Sequence, residues 1–156
     1  SWVIGRGHNF VKTMRALSDR CADAGDALER VTVVDDQVGR LTFTETMAGA
    51  IFHLLGYREG DMEPTAPAPY GLYNCTNSGD AASWAKIAAA VFDRANGNSG
   101  RVVPVSTADY YANAAGPIAP RPEHSALDLS KLDATGFAPA DWHEELDVYM
   151  DELLAE

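Results

Sequence analysis

Val31-Thr32-Val33-Val34-Asp35-Asp36-Gln37-Val38-Gly39-Arg40-Leu41-Thr42-Phe43-Thr44-Glu45 carries three signals in close succession. The run Val31 to Val34 is β-branched, with bulk at Cβ that suits a pleated surface, and reads as a strand. Asp35 to Arg40 is polar and contains a glycine, which reads as a loop. Thr42-Phe43-Thr44-Glu45 has the spacing of a capping box, in which a hydroxyl and a carboxylate satisfy each other's backbone donors. Met47, Ile51, Leu54 and Leu55 follow at helical spacing and predict the buried stripe of a helix. Strand, loop and helix in that order are a building unit of α/β architecture.

Upstream, Ser1-Trp2-Val3-Ile4-Gly5 reads as the end of a buried strand, and Gly5-Arg6-Gly7-His8 as a turn. Asn9 is placed to cap a helix striped by Phe10, Met14, Leu17 and Cys21, ending near Ala24-Gly25. Downstream, Glu59 to Pro69 carries three prolines and reads as a surface loop, and Leu72-Tyr73-Asn74-Cys75 as a short strand. Asp80 or Ser83 caps the clearest helix, whose stripe is Trp84, Ile87, Ala88, Val91 and Phe92; Asn96-Gly97-Asn98-Ser99-Gly100 ends it. Val102-Val103-Pro104-Val105 is extended, and a proline without an N–H places it at a sheet edge. Ala112 to Pro122 is too rich in Ala, Pro and Gly for a regular helix. Ser125-Ala126-Leu127-Asp128-Leu129 resumes order, and Gly136-Phe137 marks a helix stop. Pro139-Ala140-Asp141 opens a last helix with Trp142, Leu146, Tyr149 and Leu153 on its buried face. The alternation predicts an α/β fold.

The chain has 156 residues, enough to bury a real core. Its formal net charge is −11, so its surface repels phosphate backbones and nucleic acid is excluded as a partner class. A few local arginines can still hold one phosphate group. No apolar run approaches membrane-spanning length, so no membrane partner is expected. No secretory leader is recognisable, and the expected location is the cytoplasm. Cys21 and Cys75 belong to no CxxC pair and read as reduced core thiols. The opening strand pattern, without an initiator Met, leads to the expectation that the chain is part of a longer protein.

The common catalytic signatures are missing. Gly5-Arg6-Gly7 has Phe10 where a third glycine would fall, and no acidic residue follows at dinucleotide-loop spacing. No Walker loop, HExxH or GxSxG is present. His8, His53, His124 and His143 are scattered without metal-ligand spacing. Asp35 and Asp36 point to opposite faces of a strand end and so do not share a proton. The acidic run from Glu144 to Glu156 is a solvated helix face. Asn9, Gln37, Arg40 and Arg121 sit in loops at strand ends or helix starts, where open α/β sheets place ligands, and arginine forks match diphosphate oxygens.

Several segments in order resemble the dTDP-4-dehydrorhamnose reductase family, extended short-chain dehydrogenases. Ser1-Trp2-Val3 is similar to the strand after the family's catalytic Tyr-x-x-x-Lys, and Asn9-Phe10 to the next helix start. Val34 to Thr42 resembles V-x-D-Q-x-G-x-P-T, and Gly71-Leu72-Tyr73-Asn74 resembles G-x-Y-H/N. Ser83-Trp84 matches the opening of the following helix. Arg121-Pro122-Glu123-His124-Ser125-Ala126-Leu127-Asp128 resembles R-P-x-N-S-x-L-D, and Gly136-Phe137 with Asp141-Trp142 fits the terminal helix. Leu41 stands where Pro is usual, His124 replaces Asn and Ala126 replaces Arg, which bears on the substrate more than on the family.

The resemblance implies the C-terminal part of an NAD(P)-binding Rossmann-type enzyme. Residues 1–30 would be its last Rossmann strand and helix, and residues 31–156 the small substrate-binding lobe, with return elements to the Rossmann sheet. The whole enzyme would reduce C4 of a dTDP-4-keto-6-deoxy sugar with NADPH toward dTDP-L-rhamnose. The cofactor loop and the Tyr/Lys pair lie outside this chain, which would be inactive alone. Trp2 would press on the sugar, with core packing as the equal reading. Asn9, Gln37, Arg40 and Arg121 would address the diphosphate or nucleotide, although Asn9 serves equally as a cap. Mg²⁺ between subunits through Glu45 and Glu152 is implied more weakly; a capping and a solvated glutamate explain them better. An exposed sheet edge invites self-association, a homodimer included. Two alternatives stand: a reductase-like regulatory or scaffolding subunit without catalysis, and a related reductase or epimerase acting on another nucleotide sugar.

Overall fold

The structure, a computed structural model, describes residues 2–23, 30–57, 60 and 63–155. In chain order its elements are β1 (Val3–Ile4), α1 (Phe10–Asp23), β2 (Val31–Val34), β3 (Val38–Gly39), β4 (Thr42–Phe43), α2 (Thr44–Leu54), β5 (Ala82–Ser83), α3 (Trp84–Asn96), β6 (Val102–Val105), α4 (Thr107–Tyr110), α5 (Ser130–Asp133) and α6 (Trp142–Ala155). Among the described residues the strands form three two-stranded ladders. β1 pairs with β4 in parallel, β2 with β6 in parallel, and β3 with β5 antiparallel. The fold class is α/β, as the alternation predicted. The expected helix end at Ala24-Gly25 and the loop start at Glu59 fall outside the described residues.

α3 is the hub. Ser83 caps it by accepting from the Lys86 N–H at 3.2 Å, and Gly97 closes it in the left-handed region at φ +62°. Ile87, Ala88, Val91 and Phe92 are all fully buried, and α3 packs against α1, α6, β2 and β6. One apolar core runs from Ile4 and Val11 through Phe43 and Phe92 to Trp142 and Leu153. Burying this stripe removes its hydrocarbon from water, the main force holding the layers together. In α6, Tyr149 is only partly buried and Met150 takes the core position instead. Its hydroxyl donates to Gly5 O and accepts from Asn9, tying α6 to the β1–α1 turn. Cys21 and Cys75 form no disulfide, and burial pushes the Cys75 thiol pKa up.

Four local expectations need correction. Thr42 does not open a capping box. It lies in β4, buried, with its hydroxyl 2.7 Å from that of Thr76, and α2 begins at Thr44 with no side-chain cap. Pairing with β1 holds residues 42–43 extended, so tertiary structure overrides the local signal. Leu72 to Cys75 is in no strand among the described residues, and Leu72 is 92% exposed. An extended segment needs a partner strand to complete its hydrogen bonds, and none lies beside it. The supposed buried stripe of α2 faces outward: Met47, Ile51 and Leu55 are exposed, and the helix buries Thr46 and Ala50. Finally, β1 is buried only at Ile4, while Val3 is half exposed.

Candidate functional site

The loop after β2 builds one side of a hollow. Val33 and Val34 are buried in β2, and Gln37 is nearly buried just beyond it. Gly39 then passes beneath the Trp2 indole; a Cβ there would lie 3.0 Å from the ring, so a larger residue would have to push the indole aside by a few tenths of an ångström. Trp2 stacks on Trp84, the first residue of α3, at 3.8 Å between centroids, and Phe10 leans on Trp84 at 4.5 Å. Offset aromatic stacks of this kind are rigid apolar walls.

These walls bound a cavity of about 490 Å³ whose lining includes Trp2, Phe10, Thr32, Gln37, Trp84, Tyr110, Tyr111, Arg121 and Ser125. Its volume suits a small organic ligand. Among the described residues Arg121 is the only charged side chain in the lining, and its guanidinium has no partner there. In a chain of net charge −11, that leaves one free cation facing an aromatic hollow.

The structure therefore brings Trp2, Gln37 and Arg121 together and leaves Asn9 and Arg40 out. Asn9 is consumed by the backbone: its Oδ1 accepts from Lys12 N at 3.1 Å, and its Nδ2 donates to Gly5 O, Gly7 O and the Tyr149 hydroxyl. Arg40 staples distant segments instead, with Nε donating to Gly79 O at 2.7 Å and Nη1 to Leu127 O at 3.1 Å. Gln37 lines the cavity, but its Nε2 donates to the Thr107 hydroxyl at 2.9 Å. Asp35 and Asp36 go separate ways. Asp35 accepts from Ser83, whereas Asp36 takes the Thr107 hydroxyl and N–H, which hold its carboxyl below the usual range.

A family model described as the RmlD substrate binding domain matches residues 1–155. The chain belongs to the RmlD substrate-binding domain family. Relatives of this RmlD domain include the spore coat polysaccharide biosynthesis protein SpsK of Bacillus subtilis, 31% identical over 97% of this chain and 45% of that protein. A probable dTDP-4,6-dihydroxy-2-methyloxan-3-one 4-ketoreductase of Streptomyces antibioticus is 33% identical over 99% of this chain and 46% of its own length. The crystal structure of dTDP-4-dehydrorhamnose reductase from Bacillus anthracis, in complex with NADP, superposes with a TM-score of 0.72 at 30% identity. It covers 97% of this chain and 46% of that one. A Clostridium acetobutylicum dTDP-4-dehydrorhamnose reductase gives a TM-score of 0.75 at 29% identity, with 99% and 47% covered. The chain thus spans about half the length of the relatives it matches.

Sequence reasoning passed over Trp84, Tyr110 and Tyr111. Trp84 read as core, and the two tyrosines stood in no periodic pattern; their adjacency just before the Ala/Pro/Gly-rich stretch was the available signal. No group of three metal-ligating side chains that could hold an ion occurs among the described residues. Glu45 accepts from the Thr44 hydroxyl and Glu152 lies exposed on α6, and among the described residues neither belongs to a group that could hold an ion, so Mg²⁺ has no support here. Among the described residues no helix is long and apolar enough to cross a membrane.

Proposed function

We propose that this chain is the sugar-nucleotide-binding part of an NADPH-dependent dTDP-4-dehydrorhamnose reductase, inactive without the remainder of such an enzyme. The observation that carries the reading is the aromatic cavity with its single unpaired cation, Arg121. A diphosphate meets Arg121 through its planar fork, and the sugar or base lies against the faces of Trp2 and the tyrosines. On this reading residues 1–30 are the last strand and helix of a dinucleotide-binding sheet, and residues 31–156 are the substrate lobe. Both share one apolar core, so the boundary marks a change of role rather than of packing.

NADPH itself does not fit the residues present. The one Gly-x-Gly turn leads into α1, but the Asn9 side chain already occupies that helix start, accepting from the Lys12 N–H and donating to the Gly5 and Gly7 carbonyls. The hydride chemistry therefore belongs to the other half of the enzyme, and the residues here bind and orient. The location proposed is the cytoplasm. A second reading, a ketoreductase acting on a different dTDP sugar, is favoured by the Streptomyces antibioticus relative and by His124 and Ala126 beside Arg121.

Calorimetric titration with dTDP and with UDP tests the proposal. The expected result is saturable dTDP binding, weaker UDP binding, and about a tenfold loss of dTDP affinity in Arg121→Ala. No NADPH oxidation should occur with the keto sugar. Binding of neither nucleotide, or binding indifferent to Arg121, would end this reading.

A further inference from the structure

Residues 107–122 form a strap that supplies Tyr110, Tyr111, Arg121 and Pro122 to the cavity. Its two ends are tied to three consecutive residues after β2, the leading end to Asp36 and Gln37 and the trailing end to Val38 at the start of β3. At the leading end, the Asp36 carboxylate accepts from both donors of Thr107, the N–H at 2.8 Å and the hydroxyl at 2.5 Å. The Thr107 hydroxyl also accepts from Gln37. At the trailing end, Val38 N donates to Glu123 O and Ser125 N to Val38 O, each at 2.7 Å. Between the ties, residues 112–120 are exposed throughout.

Such an arrangement is a clasp. The trailing tie is backbone to backbone and insensitive to side-chain identity. The leading tie centres on the Asp36 carboxylate, whose two oxygens separately take the N–H and the O–H of Thr107, with Gln37 donating to the same hydroxyl. α4 is a single turn with no buried residue of its own, so apolar packing contributes little to its position. Beyond the paired strand β6 that leads into it, its placement, and with it that of the two tyrosines, rests on that fork, the Gln37 bond and the Ser106 cap.

We infer that Asp36 is a positioning residue for the substrate cavity: by gripping Thr107 it latches the 107–122 strap so that Tyr110 and Tyr111 face the ligand. Asp36 does not line the cavity and acts only through Thr107. The inference deepens the nucleotide-sugar reading and rests on it for the ligand's identity.

Amide hydrogen exchange and dTDP titration of the intact protein, of Asp36→Ala and of Thr107→Ser form the test. In Asp36→Ala the Tyr110 and Tyr111 amides should exchange at least about tenfold faster while the α3 amides keep their rates. dTDP affinity should fall about tenfold, because the closed strap is the competent state. Thr107→Ser retains both donors and should behave as the unaltered protein in both measurements. Unchanged exchange at Tyr110 and Tyr111, or equal acceleration in α3, overturns the latch. Faster strap exchange with undiminished dTDP affinity overturns the positioning role. If the unaltered protein binds no dTDP, the nucleotide-sugar reading fails, and the exchange rates still decide the latch.

Discussion

α3 and α2 each repeat apolar residues at three- and four-residue spacing, but they meet opposite surroundings. α3 turns Ile87, Val91 and Phe92 into the centre of the core at zero exposure. α2 turns Ile51, Phe52 and Leu55 outward, each more than half exposed, and buries the small residues Thr46 and Ala50. The starts of the helices differ in the same way. Ser83 caps α3 from its own sequence, whereas α2 starts after Phe43 with no side-chain cap, and a remote residue, Asn77, accepts the Phe43 N–H at 2.9 Å. Periodicity says that a helix has a face to cover; it does not say what covers it.

The sharpest way to break this contrast is a matched pair of truncations. Phe92→Ala should cost about 3–5 kcal/mol of unfolding free energy, since it opens a cavity in a core without slack. Phe52→Ala, at 58% exposure, should change stability by about 0.5 kcal/mol or less. Urea unfolding of the two variants reads the difference directly, and equal losses would mean that α2's outer face is covered in solution.

The same contrast explains what could be read from the sequence. The α/β class, β2, α3 with Ser83 as its cap, and α6 were legible, because each follows from spacing or propensity within its own segment. The strand at Leu72 to Cys75 and the box at Thr42 to Glu45 failed, because strand pairing is settled by partners elsewhere. Trp2, Gln37 and Arg121 were named from the resemblance and from loop position. No local rule places them on one cavity, and their residues lie far apart along the chain. Arg40 shows the limit most clearly: its partners, Gly79 and Leu127, are 39 and 87 residues away. A basic residue in a loop therefore looks the same on paper whether it meets a ligand or staples the backbone.

A second experiment sharpens the comparison at the helix starts. Asn77 is fully buried and satisfied on both sides of its amide: it accepts from Phe43 N and donates to the Thr46 hydroxyl at 2.9 Å and to Ala140 O at 3.1 Å. Asn77→Ala should cost about 2 kcal/mol, because it strands buried polar groups around the start of α2. Ser83→Ala should cost about 1 kcal/mol, the ordinary loss of an N-cap. Thermal unfolding ranks them, and the reverse order would mean that α2's start does not depend on the remote contact.

The smallest expected effect concerns α6, whose start combines both strategies. Asp141 caps it locally, accepting from the His143 N–H at 2.8 Å, and its carboxylate also lies against Gly79, in the field of Arg40. The His143 N–H is the main cause holding the Asp141 carboxyl below its usual range, with the His143 ring and Arg40 adding to it. A carboxyl depressed in the folded state stabilises fully above its unfolded value, and that contribution is lost as pH falls through the folded value. The unfolding midpoint of Asp141→Asn should therefore lie below that of the unaltered protein at pH 7, and the gap should shrink as the pH drops below about 4. The side chain is more than a third exposed, so solvent screening keeps the effect small. A gap that stays constant down to about pH 3 would mean that Asp141 holds α6 by hydrogen-bond geometry alone, independently of its charge.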